Sequence, residues 1–294
     1  MKLQGIFVSA ATPFDYSGAL YKTKVQHNVE KWNRTSVAGY VFAGTAGEGS
    51  LLADDEKAAL WELGSRHADS GKLLIAAVTS DGVHLCAGLA RRAADLGFHA
   101  VLCGVPMHHR NLMNHPAAQM LHFRAVADRS PVPVVIENAP QETGIDISPE
   151  TSAALAAHPN IAGIVEVGTP PARVTRIRES AGDPFPVLAG SSSSLWESLT
   201  LGGVGAVLSL ASAVPYACIT LWEAFRTRET EAGQDWQNRI ALPSILVSDK
   251  YGPPGLKYAM ELNGYYGGPP RLPYCPPSAS ARLEIEAAFA GLRG

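Results

Sequence analysis

Short apolar segments alternate with longer segments of helical pattern through most of the chain, and this alternation limits the folds that it can adopt. The apolar segments are residues 5–11, 37–43, 73–79, 99–105, 132–138, 161–167, 186–190 and 205–210. Because they are mostly apolar without strict alternation, they predict strands buried on both faces of a parallel sheet. Eight such strands alternating with helices predict a (β/α)8 barrel, that is, a TIM barrel. A doubly wound open sheet is the alternative, but no GxGxxG motif follows the first segment.

Helix-start signals lie between the apolar segments. Three acidic residues at 54–56 open one helical pattern, as the positive end of a helix dipole favours. Ser148 before Pro149 is typical of an N-cap serine followed by proline at the first helical position. Residues 169–171 (Thr-Pro-Pro) predict the start of another helix after the sixth strand.

The last part of the chain has no strand pattern. From about residue 225 onward, helical segments at residues 256–262 and 278–292 alternate with connections that are rich in glycine and proline. We therefore predict two regions. Residues 1–224 form the barrel, and residues 225–294 form a C-terminal helical extension that packs on it.

Composition narrows the possible classes of function. The 24 basic and 27 acidic residues leave a net charge of −3 without long runs of one sign, which argues against a nucleic-acid-binding protein. No stretch approaches ~18 consecutive apolar residues, so no membrane span is expected, and the N-terminus lacks a signal-peptide pattern. The four cysteines show no metal-ligand spacing, and we interpret Cys86 and Cys103 as core residues. These features predict a cytoplasmic protein without a metal or other cofactor.

Candidate site residues occur where predicted strands end, which is where a barrel of this kind places its chemistry. Residues 44–50 follow the second strand, and their backbone N–H groups can hold an anion or a carbonyl oxygen. Glu137 ends the fifth strand and places a carboxylate at the barrel mouth. In the sixth strand neighbouring side chains face opposite sides, so Val165 and Glu166 cannot both point into the barrel.

These segments resemble those of the dihydrodipicolinate synthase and N-acetylneuraminate lyase superfamily. The resemblance lies in residues 12–14, 44–48, 137–140, 143–144, 159–164, 188–191 and 201–205. The tail, at residues 252–257 and 264–269, is most similar to the 4-hydroxy-2-oxoglutarate aldolase branch. Since it spans nearly the whole chain in order and spacing, the resemblance implies a (β/α)8 barrel, a small-molecule substrate and a homo-oligomer, either a dimer or a tetramer.

The sequence departs from this family at the positions that carry its chemistry. The family forms a Schiff base between an oxoacid carbonyl and a lysine of the sixth strand, and that position is Val165 here. A valine offers no nucleophile. Glu137 replaces the family's acid/base tyrosine, Ala46 replaces the second threonine of its Thr-Thr turn, and Glu142 replaces the arginine expected before Thr143.

Other positions complete the expected site. Thr45 remains from the family's proton relay, and the tyrosine that a neighbouring subunit contributes aligns with His108. We expect Glu137, Thr45 and His108 to be the catalytic residues. The expected substrate-binding residues are Ala46, Val165, Gly190, Ser191, Ser192, Val207 and Glu142. The lysines nearest in sequence to the sixth strand, Lys72 and Lys250, are remote from it.

Glu137 also has a structural interpretation, in which it pairs with Arg110 or a backbone amide. We favour a functional role because of its position at a strand end. An enclosed, unpaired carboxylate has a raised pKa and suits general acid/base catalysis near neutral pH. His108 has its own alternative as a loop residue at a subunit contact. A metal site of Glu137, His108 and His109 is a further alternative, but the spacing matches no known ligand pattern.

The changes at Glu137 and Val165 are physically linked. A glutamate beside the lysine would form an ion pair and quench the amine, whereas beside a valine it is free to act as a base. A pocket that gains Glu137 and Glu142 should repel a small dicarboxylate. We therefore hypothesise a lyase-type enzyme without a Schiff base, acting on a small neutral or cationic carbonyl- or imine-containing metabolite by aldol-type cleavage or addition, elimination or cyclisation. The alternatives are a pyruvate-dependent oxoacid aldolase and an inactive homologue that binds a metabolite or a partner.

Overall fold

Each of the eight apolar segments forms a strand in the computed structural model, which describes residues 1–182 and 185–292. The strands are β1 (Gly5–Ser9), β2 (Gly39–Phe42), β3 (Leu73–Ala77), β4 (Ala100–Cys103), β5 (Val134–Asn138), β6 (Ile161–Glu166), β7 (Val187–Ala189) and β8 (Gly205–Leu208). They pair in parallel in chain order, and β8 pairs with β1 to close the barrel. The predicted (β/α)8 barrel is confirmed, and the open-sheet alternative is wrong.

Helices connect the strands and continue beyond β8. They are α1 (Lys22–Asn33), α2 (Asp54–His67), α3 (Val83–Asp95), α4 (Arg110–Met113), α5 (Pro116–Ala127), α6 (Pro140–Thr143), α7 (Pro149–Ala156), α8 (Ala172–Ala181), α9 (Leu195–Thr200), α10 (Pro215–Thr227), α11 (Thr230–Ile245), α12 (Gly252–Leu262) and α13 (Ala279–Phe289). The predicted cap of α7 is confirmed, because Ser148 Oγ accepts a hydrogen bond from the Thr151 N–H at 3.1 Å. A π-helical turn (Leu246–Lys250) joins α11 to α12.

Two apolar layers hold the barrel together. Alternate strand residues fill its interior, among them Phe7, Leu102 and Val165, while the others pack against the surrounding helices. Close strand approach requires glycine at Gly39, where a Cβ atom would lie 2.0 Å from the Leu73 carbonyl oxygen. The interior is therefore a packed core below the mouth, and only the carboxyl ends of the strands leave room for chemistry.

The helices after β8 form the predicted C-terminal extension. The predicted division between residues 224 and 225 falls inside α10, and the last two residues of the predicted extension lie outside the described residues. Residues of the π-helical turn and of α12 reach the barrel mouth, where Pro253 and Leu256 line a cavity. Among the helices of the described ranges, none has both the length and the apolar character needed to span a membrane.

Candidate active site

A cavity in two parts opens at the carboxyl ends of the barrel strands. Thr45, Glu137 and Glu142 line both parts and so mark the place where they meet. The first part, of about 60 Å³, lies beneath the C-terminal extension, and the second, of about 230 Å³, lies between the ends of β2, β3, β4 and β5. A barrel of this class places its reacting groups at this end of the strands.

The strand pair β5–β6 decides which side chains face the cavity. Glu137 is directly opposite Val165 in the register, and Asn138 is opposite Glu166. Val165 belongs to the apolar cluster inside the barrel, and Glu137 lines the cavity above it. Because neighbouring residues alternate, Asn138 and Glu166 face the surrounding helices.

Glu137 is the most unusual ionisable group of the cavity. It is partly buried, and among residues 1–182 and 185–292 no side chain forms a hydrogen bond or an ion pair with its carboxylate. Burial raises the pKa of Glu137 to about 7, and the nearby Glu142 carboxylate adds to the rise. Both protonation states are therefore accessible near neutral pH, as general acid/base catalysis requires.

Two further carboxylates surround the first part of the cavity. Thr45 Oγ1 donates a hydrogen bond to Glu142 Oε2 at 3.1 Å. Burial raises the pKa of Glu142, with a further contribution from Asp249, while the Thr45 hydrogen bond opposes the rise. Asp249 comes from the π-helical turn, and burial raises its pKa as well. The first part of the cavity is thus lined by three carboxyl groups, and no lysine or arginine of the described residues lines it.

The turn that carries Thr45 is held in a strained conformation. Ala43 and Glu48 flank it with φ values of 60° and 55°, a region that non-glycine residues rarely occupy. Glu48 Oε1 forms a buried ion pair at 2.5 Å with Lys257 Nζ of α12, and Glu48 Oε2 accepts a hydrogen bond from the Arg271 N–H. The C-terminal extension therefore positions the turn, and burial lowers the pKa of Lys257 to about 8.

Hydroxyl groups supply the remaining polar surface of the first part. Ser9, Ser191 and Ser209 line it from the ends of β1, β7 and β8. Ser191 Oγ lies 2.8 Å from Ser193 Oγ, within hydrogen-bond distance. These groups can donate to a carbonyl or hydroxyl oxygen of a small ligand.

A lysine lines the second part of the cavity. Lys57 of α2 reaches this part, and its side chain is 11% exposed. Its Nζ atom lies 3.6 Å from Asp54 Oδ1. No local sequence pattern points to this residue, because it lies on a helix and not at a strand end.

Most of the predicted site residues meet in this cavity. Those that line it are Thr45, Ala46, Glu137, Glu142, Val165, Gly190, Ser191 and Val207. Ser192 does not line it and is 2% exposed, and its carbonyl accepts a hydrogen bond from Gln237 Nε2. His108 is exposed and does not line either part, and its backbone N–H donates to Asp81 Oδ1 at 3.3 Å.

The two alternative interpretations of Glu137 find no geometric support in the described part of the chain. The Arg110 side chain lies beside Gly144, where a Cβ atom would come within 3.1 Å of it, and forms no ion pair with Glu137. The described residues do not gather Glu137, His108 and His109 into a cluster of metal-ligand atoms.

The closed barrel, with a cavity at its mouth, places the chain in the (β/α)8 barrel class. A sequence model of the dihydrodipicolinate synthetase family matches residues 2–291. The chain therefore belongs to this family, and it is an enzyme of the lyase class.

Individual relatives agree with this membership. The chain is 34% identical over 280 residues to a 4-hydroxy-tetrahydrodipicolinate synthase of Xanthomonas campestris pv. campestris, covering 95% of this chain and 91% of the relative. It is 31% identical over 295 residues to a probable mitochondrial 4-hydroxy-2-oxoglutarate aldolase of Emericella nidulans, covering 97% of this chain and 93% of the relative. The crystal structure of dihydrodipicolinate synthase DapA-2 from Bacillus anthracis superposes with a TM-score of 0.94 at 24% identity and full coverage of both chains, which shows the shared fold.

Proposed function

We propose that this enzyme works without a Schiff base and uses Glu137 as its general acid and base. The observation that carries the proposal is the unpartnered Glu137 carboxylate, with a pKa raised to about 7, directly opposite Val165 in the strand register. The reaction is an aldol-type cleavage or addition, an elimination or a cyclisation. Each of these needs a proton to be taken from or given to a carbon or oxygen atom, which a carboxyl group of this pKa can do.

The neighbouring groups supply the other roles in this proposal. Thr45 and the backbone of residues 44–48 hold an oxygen atom of the substrate, since they line the cavity beside Glu137. His108 relays a proton only if a neighbouring subunit presents it, because it is exposed on its own chain. The proposal therefore includes a homo-oligomer, in which a neighbouring subunit presents His108. It also includes a cytoplasmic location.

The acidic lining of the first part of the cavity supports a neutral or cationic substrate. Glu137, Glu142 and Asp249 line the first part of the cavity, and each has a raised pKa. Unpaired carboxylates in a small space repel a second anion and stabilise an amine or an iminium group. A small carbonyl- or imine-containing metabolite without a second carboxylate fits this environment.

A panel of small aldehydes, ketones and imines, neutral and amine-bearing, tests this proposal. Each compound is incubated with the wild-type enzyme and with Glu137→Gln, and the products are followed by mass spectrometry. We expect turnover of a neutral or cationic member by the wild type alone. Turnover that is confined to dicarboxylic oxoacids would contradict the proposed substrate class, and equal turnover by Glu137→Gln would remove Glu137 from the mechanism.

The position of Lys57 favours a second candidate function, that of a pyruvate-dependent oxoacid aldolase. In this candidate the Lys57 amine of α2 forms the Schiff base. Lys57 lines the second part of the cavity, which Glu137 also lines. Borohydride trapping with pyruvate and with 4-hydroxy-2-oxoglutarate, read by intact-protein mass, distinguishes the candidates. The main proposal predicts no adduct while an active family member traps in parallel. An adduct that persists in Lys72→Arg and disappears in Lys57→Arg would establish the second candidate instead.

A further inference from the structure

A second cluster of reactive side chains lies outside the cavity. Cys86 of α3, Cys103 of β4 and His122 of α5 each direct one potential ligand atom to a common centre, and these three atoms lie within 4.8 Å of one another. Both cysteines are 0% exposed and His122 is 5% exposed. Cys103 precedes Gly104, which lines the second part of the cavity, so the cluster lies directly behind the cavity wall.

We propose that Cys86, Cys103 and His122 bind a Zn²⁺ ion. In a tetrahedral zinc site, with bonds of about 2.3 Å to sulfur and about 2.0 Å to nitrogen, neighbouring ligand atoms lie about 3.5 to 3.8 Å apart. Cys103 Sγ lies 3.8 Å from His122 Nε2, and the other pairs lie within 4.8 Å. Small side-chain adjustments therefore bring all three atoms to bonding distance of one ion.

The charge of the site favours zinc over a monovalent ion. Binding replaces the two thiol protons, which leave to solvent, so two thiolates and Zn²⁺ form a neutral unit. A monovalent ion such as Cu⁺ would leave a negative charge in the buried layer between strand and helices, where an uncompensated charge is costly.

Backbone oxygen atoms lie beside the cluster. The Ser80 carbonyl oxygen is 3.4 Å from Cys86 Sγ, and the Gly104 carbonyl oxygen is 3.6 Å from Cys103 Sγ. Three protein ligands leave a fourth position on the ion, which one of these oxygen atoms or a water molecule would occupy. The ion would join α3, β4 and α5 and stabilise the wall of the second part of the cavity.

The sequence alone does not predict this site. Residues 86, 103 and 122 come from separate elements, and their spacing matches none of the compact ligand motifs. The interpretation of Cys86 and Cys103 as core residues agrees with their burial, and the proposal adds His122 as the third member of the group.

Metal analysis of the untagged chain tests the proposal. We expect about one zinc per chain by mass spectrometry, and refolding with Co²⁺ to give a thiolate-to-cobalt charge-transfer band. In Cys86→Ser and Cys103→Ser we expect the bound metal to fall at least about tenfold. Cys218→Ser, which alters a buried thiol on α10, is the matched control and should retain it.

A measurement on the unaltered chain covers the case in which these variants do not fold. The wild type is unfolded, treated with a chelator, and refolded with and without Zn²⁺. We expect a higher melting temperature with zinc, because an ion that binds the folded state alone stabilises it. A wild type that carries no zinc and refolds in Co²⁺ without the charge-transfer band would overturn the proposal, as would a band that persists in both cysteine variants.

Discussion

Two glutamates on neighbouring strands, Glu137 and Glu166, occupy opposite faces of the barrel wall and have opposite surroundings. Glu166 Oε2 accepts hydrogen bonds from Asn138 Nδ2 and from Arg173 Nε, each at 3.0 Å. Asp146 extends this network, because it also pairs with Arg173. Glu137 faces the cavity, and no group of the described ranges pairs with it.

The comparison contrasts a carboxylate that the fold supplies with hydrogen-bond donors and one that it leaves without them. Burial raises the pKa of both residues, but Arg173 and Asn138 oppose the rise at Glu166, whereas Glu142 increases it at Glu137. A carboxylate that the fold needs is supplied with donors, because an unpaired buried charge is unfavourable. We therefore interpret the missing partner of Glu137 as a requirement of its chemistry, with the substrate as the group that it meets.

The largest expected effect is on turnover. Glu137→Gln should lower the rate of the proposed reaction by about 10²- to 10⁴-fold, since the amide cannot exchange a proton. Glu166→Gln, on the outer face, should keep most of the activity per folded molecule. Steady-state rates at equal concentrations of folded enzyme check this contrast, and a similar loss in both variants would erase the distinction between the two faces.

The next effect is on stability. Arg173→Met leaves the buried Glu166 carboxylate without its cation and should lower the free energy of unfolding by about 3 kcal/mol. Arg176→Met is a matched control on the same helix, because the pair of Arg176 and Glu150 is exposed and such pairs contribute little. Urea unfolding measures both variants, and equal midpoints would show that the network does not stabilise the barrel.

The smallest expected effect is on the pKa of Glu137. Glu142→Gln should lower the pKa of Glu137, because the Glu142 carboxylate contributes to its rise. The shift should be less than half of the rise, since burial is the larger cause. Titration of ¹³C-labelled glutamate by NMR measures it, with the exposed Glu150→Gln as the control. An unchanged pKa in Glu142→Gln would mean that the two carboxyl groups do not interact.

The sequence predicts the parts of this molecule that local patterns determine. The apolar segments predict all eight strands. Alternation within β6 predicts that either Val165 or Glu166 points into the barrel. The structure shows that Val165 is the inward residue, directly opposite Glu137 of β5. The position of Glu137 at a strand end predicts its place in the cavity.

Contacts between distant parts of the chain lie beyond such patterns. Asp249 reaches the cavity from a π-helical turn in the extension, and Lys57 reaches it from α2, so neither belongs to a strand end. His108 and Ser192 do follow strands, but their side chains lie outside the cavity of their own chain.

The pH dependence of stability tests the central claim about Glu137 most directly. With a pKa of about 7 in the folded state against an ordinary value of 4.5, Glu137 takes up a proton on folding between these pH values, because it is ionised in the unfolded chain. The free energy of unfolding therefore falls as pH rises through this window. Glu137→Gln lacks this titration. We predict that the variant gains about 3 kcal/mol of unfolding free energy relative to the wild type between about pH 4 and about pH 8. Parallel profiles would contradict the account, because they would show that Glu137 has an ordinary pKa and is not held ready for proton transfer.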